Sequence, residues 1–180
     1  MQKSSLRKEI LQQRQALSET EWRTKSNLIC DRLKTLPLFT QSQTIFAYFS
    51  FRQEVELEFL FKLKKKWAFP RCVGKNLVWH LWQPGEPLVD DKYGIKTPLK
   101  TAPIVSISSA DLILVPVVAC DRRKYRLGYG GGFYDRLMAS SCNLNINHIG
   151  IAFSFSCVDQ IPTDSWDIKL DFVCTETELF

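Results

Sequence analysis

The hydrophobic and polar positions change their spacing several times along the chain, and each spacing predicts an element. Apolar residues recur at helical spacing in residues 3–17, and residues 18–21 (SETE) have the form of a capping box. We therefore predict two helices, the second ending near Pro37. Residues 54–66 (EVELEFLFKLKKK) begin with acids and end with lysines, as the helix dipole favours, and predict a third helix. A fourth is predicted over residues 131–140 (GGFYDRLMAS), where the glycines give way to larger side chains.

Runs of apolar, β-branched and aromatic residues predict the strands. The longer runs are TIFAYFSF, DLILVPVV and HIGIAFSF, at residues 44–51, 111–118 and 148–155. The shorter candidates are WAFPR, LVWHLW and DFVCTE, at residues 67–71, 77–82 and 171–176. Residues 111–118 are apolar on both faces, which is typical of a central strand. The turn-rich residues 83–100 are predicted to form a loop.

Strands that alternate with helices predict an α/β fold of three layers. Helices are expected to cover both faces of a mostly parallel sheet in a Rossmann-like arrangement. The length of 180 residues predicts a single domain over residues 1–180. In such sheets, ligands bind beyond the carboxyl ends of the strands. The glycine-rich residues 125–136 follow the predicted central strand, so the sequence places a candidate ligand site there.

Composition and cysteine usage narrow the class of protein. No run of about 18 apolar residues is present, so we expect no membrane span. The polar first residues lack the apolar core of a signal peptide, which favours a cytoplasmic location. The six cysteines include no C-x-x-C pair and only two histidines accompany them, so we expect reduced thiols and no zinc site.

The net charge of +5 is distributed unevenly. Residues 1–80 contain 15 Lys and Arg against 7 Asp and Glu, whereas residues 81–180 contain 9 against 12. A basic half of this kind can contact nucleic acid or a multiply charged small anion. Basic residues mixed with aromatic ones suit single-stranded RNA, but the residue order of an RNA-recognition segment is absent. An RNA-binding module is therefore the second hypothesis, behind an anion site.

The segment YRLGYGGGFYDR, residues 125–136, has four glycines within five positions. Glycine lets the backbone adopt positive φ and lets a ligand approach the main chain. Between a strand and a helix, the N–H groups of such a segment can hold a phosphate. The segment matches neither a P-loop nor the G-x-G-x-x-G dinucleotide motif. Arg126 can neutralise phosphate oxygens and Asp135 can bind Mg²⁺ held by phosphates, so together they predict a phosphate site.

Four motifs of the chain resemble the 5-formyltetrahydrofolate cyclo-ligase family, whose members are also called methenyltetrahydrofolate synthetases. KSSLR at residues 3–7 resembles the family's N-terminal K-x-x-L-R, and FRQEVE around Glu54 resembles the acidic segment after the first strand. DRRKYRLGYGGGFYDR at residues 121–136 resembles R-L-G-x-G-x-G-Y-Y-D and is the most specific match. IPTDSWDIKLD near the C-terminus is a weaker match. The motifs span almost the whole chain in the family's order.

The resemblance implies an enzyme that uses ATP and Mg²⁺ to close 5-formyltetrahydrofolate to 5,10-methenyltetrahydrofolate, with release of ADP and phosphate. A formamide oxygen is a poor leaving group, so transfer of the γ-phosphoryl group to it would form an imidate-type phosphate that N10 of the folate attacks. Such a transfer depends on positioning and charge neutralisation more than on covalent help from the protein. The implied partners are 5-formyltetrahydrofolate and its polyglutamates, without nucleic acid or membrane, and we expect a monomer.

The resemblance also implies roles for individual residues. ATP is expected to contact Lys3, Ser4, Ser5, Leu6, Arg7, Arg126, Leu127, Gly128, Tyr129, Gly130, Gly131, Gly132, Phe133 and Tyr134. The folate is expected to contact Phe49, Glu54, Tyr129, Gly130, Gly131, Gly132 and Phe133. Arg126 and Tyr134 are expected to act in catalysis, and Asp135 and Asp167 to bind Mg²⁺.

The chain departs from the family's pattern at two positions. Phe133 stands where the family commonly has Tyr, so a hydroxyl hydrogen bond is missing there. Trp166 precedes Asp167 where bacterial members often have His. A relative that binds folate without turnover is an alternative to the enzyme, alongside the RNA-binding module.

Overall fold

A computed structural model describes residues 2–180 of the chain. The helices are α1 (Lys3–Gln15), α2 (Glu19–Thr35), α3 (Pro37–Gln41), α4 (Glu58–Phe61) and α5 (Phe133–Ser141). The strands are β1 (Thr44–Phe46), β2 (Lys66–Val73), β3 (Asn76–Leu81), β4 (Leu88–Asp90), β5 (Lys96–Pro98), β6 (Ile104–Val105), β7 (Leu112–Pro116), β8 (Ala119–Asp121), β9 (Arg126–Leu127), β10 (Asn147–Ile151), β11 (Cys157–Val158) and β12 (Phe172–Cys174). No helix within these residues has both the length and the apolar character needed to cross a membrane.

A seven-stranded sheet in the order β12-β10-β7-β1-β2-β3-β6 forms the centre of the fold. The five strands from β12 to β2 are parallel, and β3 and β6 complete one edge in antiparallel pairing. The predicted mostly parallel sheet is therefore confirmed. The predicted central strand β7 is an interior strand between β10 and β1, and its residues 112–115 are fully buried. Burial on both faces explains why its sequence is apolar without alternation.

Helices cover both faces of this sheet, as the α/β pattern predicted. Side chains alternate along β1, so Ile45 packs in one cluster with Ile29 of α2, while Phe46 packs in another with Leu137 and Met138 of α5. The N-terminal helix α1 belongs to a third, smaller cluster through its buried Leu6. The three-layer α/β architecture is confirmed, and it leaves the ends of the parallel strands open between the layers.

The capping box at the start of α2 is present as the sequence predicted. The Ser18 hydroxyl accepts from the Glu21 amide at 3.2 Å, and the Glu21 carboxylate accepts from the Ser18 amide at 3.0 Å. The helix predicted over residues 54–66 is mostly wrong, because only α4, four residues long, is helical there. Val55 and Leu57 are both buried, and a helix would point side chains two residues apart towards different faces.

Three further segments differ from the sequence prediction. The strand predicted over residues 44–51 ends after β1. Residues 47–49 are buried and residues 50–51 half-buried, without regular strand pairing. Residues 83–100 are not simply a loop, since β4 and β5 pair as a hairpin that Arg71 holds by donating to the Thr97 hydroxyl at 2.8 Å. A small sheet of order β11-β8-β9 separates β7 from the glycine-rich loop. Because β9 ends at Leu127, this small sheet fixes the position from which the glycine-rich loop begins.

Candidate active site

A cavity of about 940 Å³ opens at the carboxyl ends of the parallel strands, a size usual for small-molecule sites. Pro116 at the end of β7, Phe49 beyond β1 and Cys72 near the end of β2 line its floor. Its walls come from α1, the segment before α4, the β4–β5 hairpin, the glycine-rich loop and the segment around residue 166. The location agrees with the rule that α/β sheets bind ligands beyond the carboxyl ends of their strands.

The glycine-rich loop, residues 128–132, forms one wall and leads into α5. Gly130 has φ of 98° and Gly132, the N-cap of α5, has φ of 65°, conformations that side chains with a Cβ rarely adopt. Arg7 of α1 fixes the start of the loop by donating from Nε to the Gly128 carbonyl at 2.8 Å. The first turn of α5 and its positive dipole end face the cavity, which suits an anionic group.

Arg126 at the base of the loop has the features of an anion ligand. Only 4% of its side chain is exposed, and its Nη2 donates to Asp135 at 2.9 Å. Its Nε is buried and has no hydrogen-bond partner within residues 2–180. Burial lowers the pKa of this guanidinium, while the Asp135 carboxylate opposes the shift. A buried donor without a partner is costly, so an anionic ligand oxygen would stabilise this arrangement.

The two predicted metal ligands both lie on this side of the cavity. Asp135 pairs with Arg126, and Asp167 accepts from Lys3 Nζ at 2.6 Å and from the Asp164 amide at 2.8 Å. Both carboxylates act on Arg126 by opposing the fall in its pKa. Within residues 2–180 no three His, Cys, Asp or Glu side chains are grouped as a metal site. Two carboxylates are nevertheless enough for Mg²⁺ when phosphate oxygens and water complete its shell.

Residues 3–7 do not all line the cavity, although the family resemblance implied that each of them contacts ATP. Lys3 and Arg7 line the cavity, one helical turn apart on the same face of α1. Leu6 is buried in the small apolar cluster, and Ser4 and Ser5 point to solvent outside the cavity lining. Five consecutive residues of a helix point in all directions, so only those on one face, here Lys3 and Arg7, can reach the cavity.

Glu54 lies at the opposite wall and is not the helix-start carboxylate that its position suggested. It is 5% exposed and precedes α4 by four residues, and its carboxylate accepts from the Phe51 amide at 3.1 Å. Arg52 and Gln53 immediately before it have φ of 48° and 56°, which is strained for residues other than glycine. Burial raises the pKa of Glu54 to about 7, although Arg14 opposes the rise. The segment therefore holds a carboxyl group that takes either protonation state near neutral pH.

Arg14 is a residue that the sequence prediction missed. It is 2% exposed, its Nε donates to the Arg52 carbonyl at 3.0 Å, and its Nη2 donates to the Tyr129 hydroxyl. It thus joins the strained segment before Glu54 to the glycine-rich loop. A signal was available, because Arg14 continues the buried stripe that Leu6 and Ile10 begin at a spacing of four.

Aromatic side chains line or underlie the cavity between these two walls. Phe49 stacks on Phe69 with ring centroids 4.0 Å apart and packs edge-on to Trp82, while its own edge lines the cavity. Tyr134 is half-buried in the cavity lining, and desolvation raises the pKa of its hydroxyl. The pKa of Tyr129 is raised to about 12 by burial. The β4–β5 hairpin adds lining residues that the loop prediction missed, namely Asp91, Tyr93, Ile95, Lys96 and Thr97.

Comparison with known proteins places the chain in a family. The sequence profile described as the 5-formyltetrahydrofolate cyclo-ligase family matches residues 1–176. The chain belongs to the 5-formyltetrahydrofolate cyclo-ligase family. It is 28% identical over 179 residues to the 5-formyltetrahydrofolate cyclo-ligase of Escherichia coli K12, covering 95% of this chain and 98% of that protein. The enzyme of Mycolicibacterium smegmatis is 30% identical over 186 residues, covering 96% of this chain and 93% of that protein.

Solved structures agree with the family membership. The NMR structure of Aquifex aeolicus 5,10-methenyltetrahydrofolate synthetase matches with a TM-score of 0.87 and 35% identity, covering 99% of this chain and 92% of that one. A 5,10-methenyltetrahydrofolate synthetase from Mycoplasma pneumoniae matches with a TM-score of 0.79 and 27% identity, covering 98% of this chain and 99% of that one. The predictions of the family, of its fold and of an enzyme of the cyclo-ligase class are confirmed.

Both departures from the cyclo-ligase pattern lie in the cavity lining. The Phe133 ring lies 5.2 Å from the Arg136 guanidinium carbon and brings no hydroxyl to the wall. Trp166 is 68% exposed beside the mouth, next to Asp167. Neither substitution disturbs the contacts of Arg126, Asp135 and Asp167 described above.

Proposed function

We propose that this chain uses ATP and Mg²⁺ to cyclise 5-formyltetrahydrofolate to 5,10-methenyltetrahydrofolate, releasing ADP and phosphate. The observation that carries the proposal is the buried Nε of Arg126, which has no hydrogen-bond partner among residues 2–180. Arg126 lines the cavity together with the glycine-rich loop, Asp135 and Asp167. The loop and the start of α5 are suited to hold the phosphates of ATP. Lys3 and Arg7 face the same space and would neutralise further phosphate charge.

In this proposal Asp135 and Asp167 would hold Mg²⁺. The bound ion would supply charge neutralisation for the transferred phosphoryl group and a template for its orientation. Asp135 now pairs with Arg126, and Asp167 with Lys3, so each carboxylate is already aligned beside a phosphate-binding cation. Arg126 would stabilise the charge that develops on the phosphoryl oxygens, where a preorganised donor acts most strongly.

The folate in this proposal lies against the wall of Phe49, Glu54 and Tyr129. The formyl oxygen accepts the γ-phosphoryl group and becomes a leaving group, N10 then attacks the formyl carbon, and the ring closes as phosphate departs. Glu54 would contact the polar edge of the pterin, and its pKa of about 7 lets it donate or accept a hydrogen bond near neutral pH. Tyr134, half-buried with its ring centroid 5.9 Å from the Arg126 guanidinium carbon, would position the phosphoryl acceptor.

A cytoplasmic monomer that takes folate polyglutamates, without a nucleic-acid partner, is part of the same proposal. Family membership favours it over the RNA-binding module. A folate-binding relative without turnover differs only in activity. That alternative predicts folate binding without hydrolysis of ATP, whereas RNA binding predicts a steep dependence of affinity on salt.

The proposal is tested by following the ultraviolet absorbance of methenyltetrahydrofolate with purified protein, 5-formyltetrahydrofolate, ATP and Mg²⁺. We expect an ATP-dependent rise that Asp135→Asn slows by about 100-fold or more, because the substitution removes both a metal ligand and the partner of Arg126. The matched control is Asp31→Asn, which neutralises a surface carboxylate of α2 that is 66% exposed.

Two results would contradict the proposal. Wild-type rates in Asp135→Asn would remove the metal assignment. If the folded protein binds folate but gives no ATP-dependent rise in absorbance, the chain is a relative that binds folate without turnover. Circular dichroism of each variant separates a lost site from a lost fold.

A further inference from the structure

Two cysteines outside the cavity lie side by side in the small sheet. Cys120 in β8 and Cys157 in β11 are register partners in neighbouring parallel strands, and their Sγ atoms are 3.3 Å apart. All six cysteines of the chain are free thiols. The proposed reaction of folate cyclisation uses neither member of this pair.

The geometry of the pair is close to that of a disulfide. Register partners in adjacent strands have Cα atoms about 5 Å apart, inside the range of about 4.4–6.8 Å that disulfides require. The S–S bond is about 2.05 Å long, so the two sulfurs would need to approach by a little over 1 Å. Side-chain rotation can supply most of this movement, because the strand pairing already fixes the backbone.

The two thiols differ in environment in a way that suits exchange chemistry. Cys157 is partly exposed, and its pKa is lowered by the hydrogen bond with Cys120 and by nearby Arg122, against the effect of burial. Cys120 is buried, and the same hydrogen bond together with burial raises its pKa. An accessible thiol of lowered pKa attacks first, and its buried neighbour then resolves the mixed disulfide.

We propose that Cys120 and Cys157 form a thiol–disulfide exchange site whose reagent is a low-molecular-weight disulfide such as glutathione disulfide. The Cys157 thiolate attacks one sulfur of the reagent, so a mixed disulfide forms and one glutathione thiolate leaves. Cys120 then gives its proton to the released glutathione thiolate and attacks the Cys157 sulfur. The Cys120–Cys157 bond forms, the bond between Cys157 and glutathione breaks, and the second glutathione thiolate leaves and is protonated by solvent. Two protein thiols are oxidised and one glutathione disulfide is reduced to two thiols.

The exchange site is connected to the cavity through β8. Cys120 is the register partner of Arg126 across the antiparallel β8–β9 pair, and directly opposite residues of such a pair share one face. Closing the disulfide therefore constrains the strand that carries Arg126. We expect oxidation to slow folate cyclisation several-fold, and this consequence alone rests on the proposed function.

The first experiment uses the full chain and needs no activity. Wild type, Cys157→Ser, Cys120→Ser and the control Cys142→Ser, which removes an exposed thiol outside the pair, are incubated with glutathione disulfide. Intact mass and non-reducing peptide mapping follow the products. We expect wild type and Cys142→Ser to give a Cys120–Cys157 linked peptide that dithiothreitol reverses. Cys157→Ser should give no linked peptide, and Cys120→Ser should stop at a glutathione adduct on Cys157.

The possible results test the exchange site separately from the expected slowing of folate cyclisation. Glutathione on Cys142 alone in wild type, with Cys120 and Cys157 still reduced, would overturn the site, and circular dichroism shows whether each variant is folded. If the linked peptide forms but the cyclisation rate is unchanged, the exchange site stands and its connection to Arg126 is overturned. A several-fold loss of rate that dithiothreitol restores in wild type, and that Cys157→Ser does not show, supports both.

Discussion

Glu54 is a carboxyl group whose environment, more than its place in the sequence, decides its ionisation. Burial favours the neutral form, while Arg14 and the Phe51 amide favour the charged form, and the balance leaves a pKa of about 7. Arg14 reaches this region because it lies on the buried stripe of α1, where an apolar residue would be usual. A single arginine thus ties together the two walls that we assign to folate and to ATP.

For the single residue Glu54 we predict that Glu54→Gln increases the free energy of unfolding, and that the increase depends on pH. The pKa of the folded state is about 7 against an ordinary value of 4.5, so the folded state binds more protons between these values. The stability that this group contributes is fully present below about pH 4.5 and is lost as pH rises through 7. We expect the variant to match wild type at pH 4.5 and to exceed its free energy of unfolding by about 3 kcal/mol at pH 8.

Urea denaturation at the two pH values measures the difference. Glu19→Gln, which changes a carboxyl group that is 74% exposed, is the matched control and should show no such change with pH. An equal difference between Glu54→Gln and wild type at both pH values would show that folding does not raise the pKa of Glu54.

Elements defined by interactions between neighbouring residues were predicted correctly, whereas elements defined by contacts between distant residues were not. The capping box of α2 and the start of α5 after the glycines depend on neighbouring residues, so local sequence was sufficient. The helix predicted over residues 54–66 is mostly absent, because Val55 and Leu57 both pack into the core and a helix could not direct both side chains there. The β4–β5 hairpin was missed because Arg71, distant in sequence, holds it in place.

The glycine-rich loop gives a prediction at the scale of an element. Gly130→Ala requires a side chain at φ of 98°, whereas Gly128 has ordinary φ and open space where a Cβ would lie. We expect Gly130→Ala to lower the free energy of unfolding by about 1–2 kcal/mol, the usual cost of positive φ. Gly128→Ala, the same change two residues earlier, should cost much less. Chemical denaturation of the pair measures this, and equal losses would contradict a conformational requirement at Gly130.

At the scale of the whole molecule, buried polar contacts join segments that are far apart in sequence. Asp121 at the end of β8 is fully buried, and its Oδ2 accepts from Arg123 Nη2 at 2.6 Å and from the Ile161 amide at 2.9 Å. Its Oδ1 accepts from the Tyr125 amide at 3.2 Å. The carboxylate thus fastens the β8–β9 hairpin to the segment that leads to Asp167.

We predict that Asp121→Ala lowers the free energy of unfolding by about 3–5 kcal/mol, because it leaves buried amides and part of an ion pair without their acceptor. Glu178→Ala is the control, since Glu178 is 40% exposed and pairs with the exposed Arg122. Exposed pairs of this kind contribute less than about 1 kcal/mol. Urea denaturation compares the two variants. Similar losses would mean that the buried carboxylate does not fasten the hairpin.

Short stretches of sequence were enough to predict the broad order of strands and helices and the glycine loop with Arg126 and Asp135, because periodicity and glycine chemistry are local properties. Four motifs were enough to indicate the family. The family resemblance had assigned Lys3, Ser4, Ser5, Arg7, Glu54 and Asp167 to one site. Only the packing of the folded chain shows that Lys3, Arg7, Glu54 and Asp167 line one cavity and that Ser4 and Ser5 do not. It also placed Arg14 between the two walls and Cys120 against Cys157. Such pairs depend on how distant segments pack, and packing is set by the shape of the whole core, which no short stretch of sequence contains.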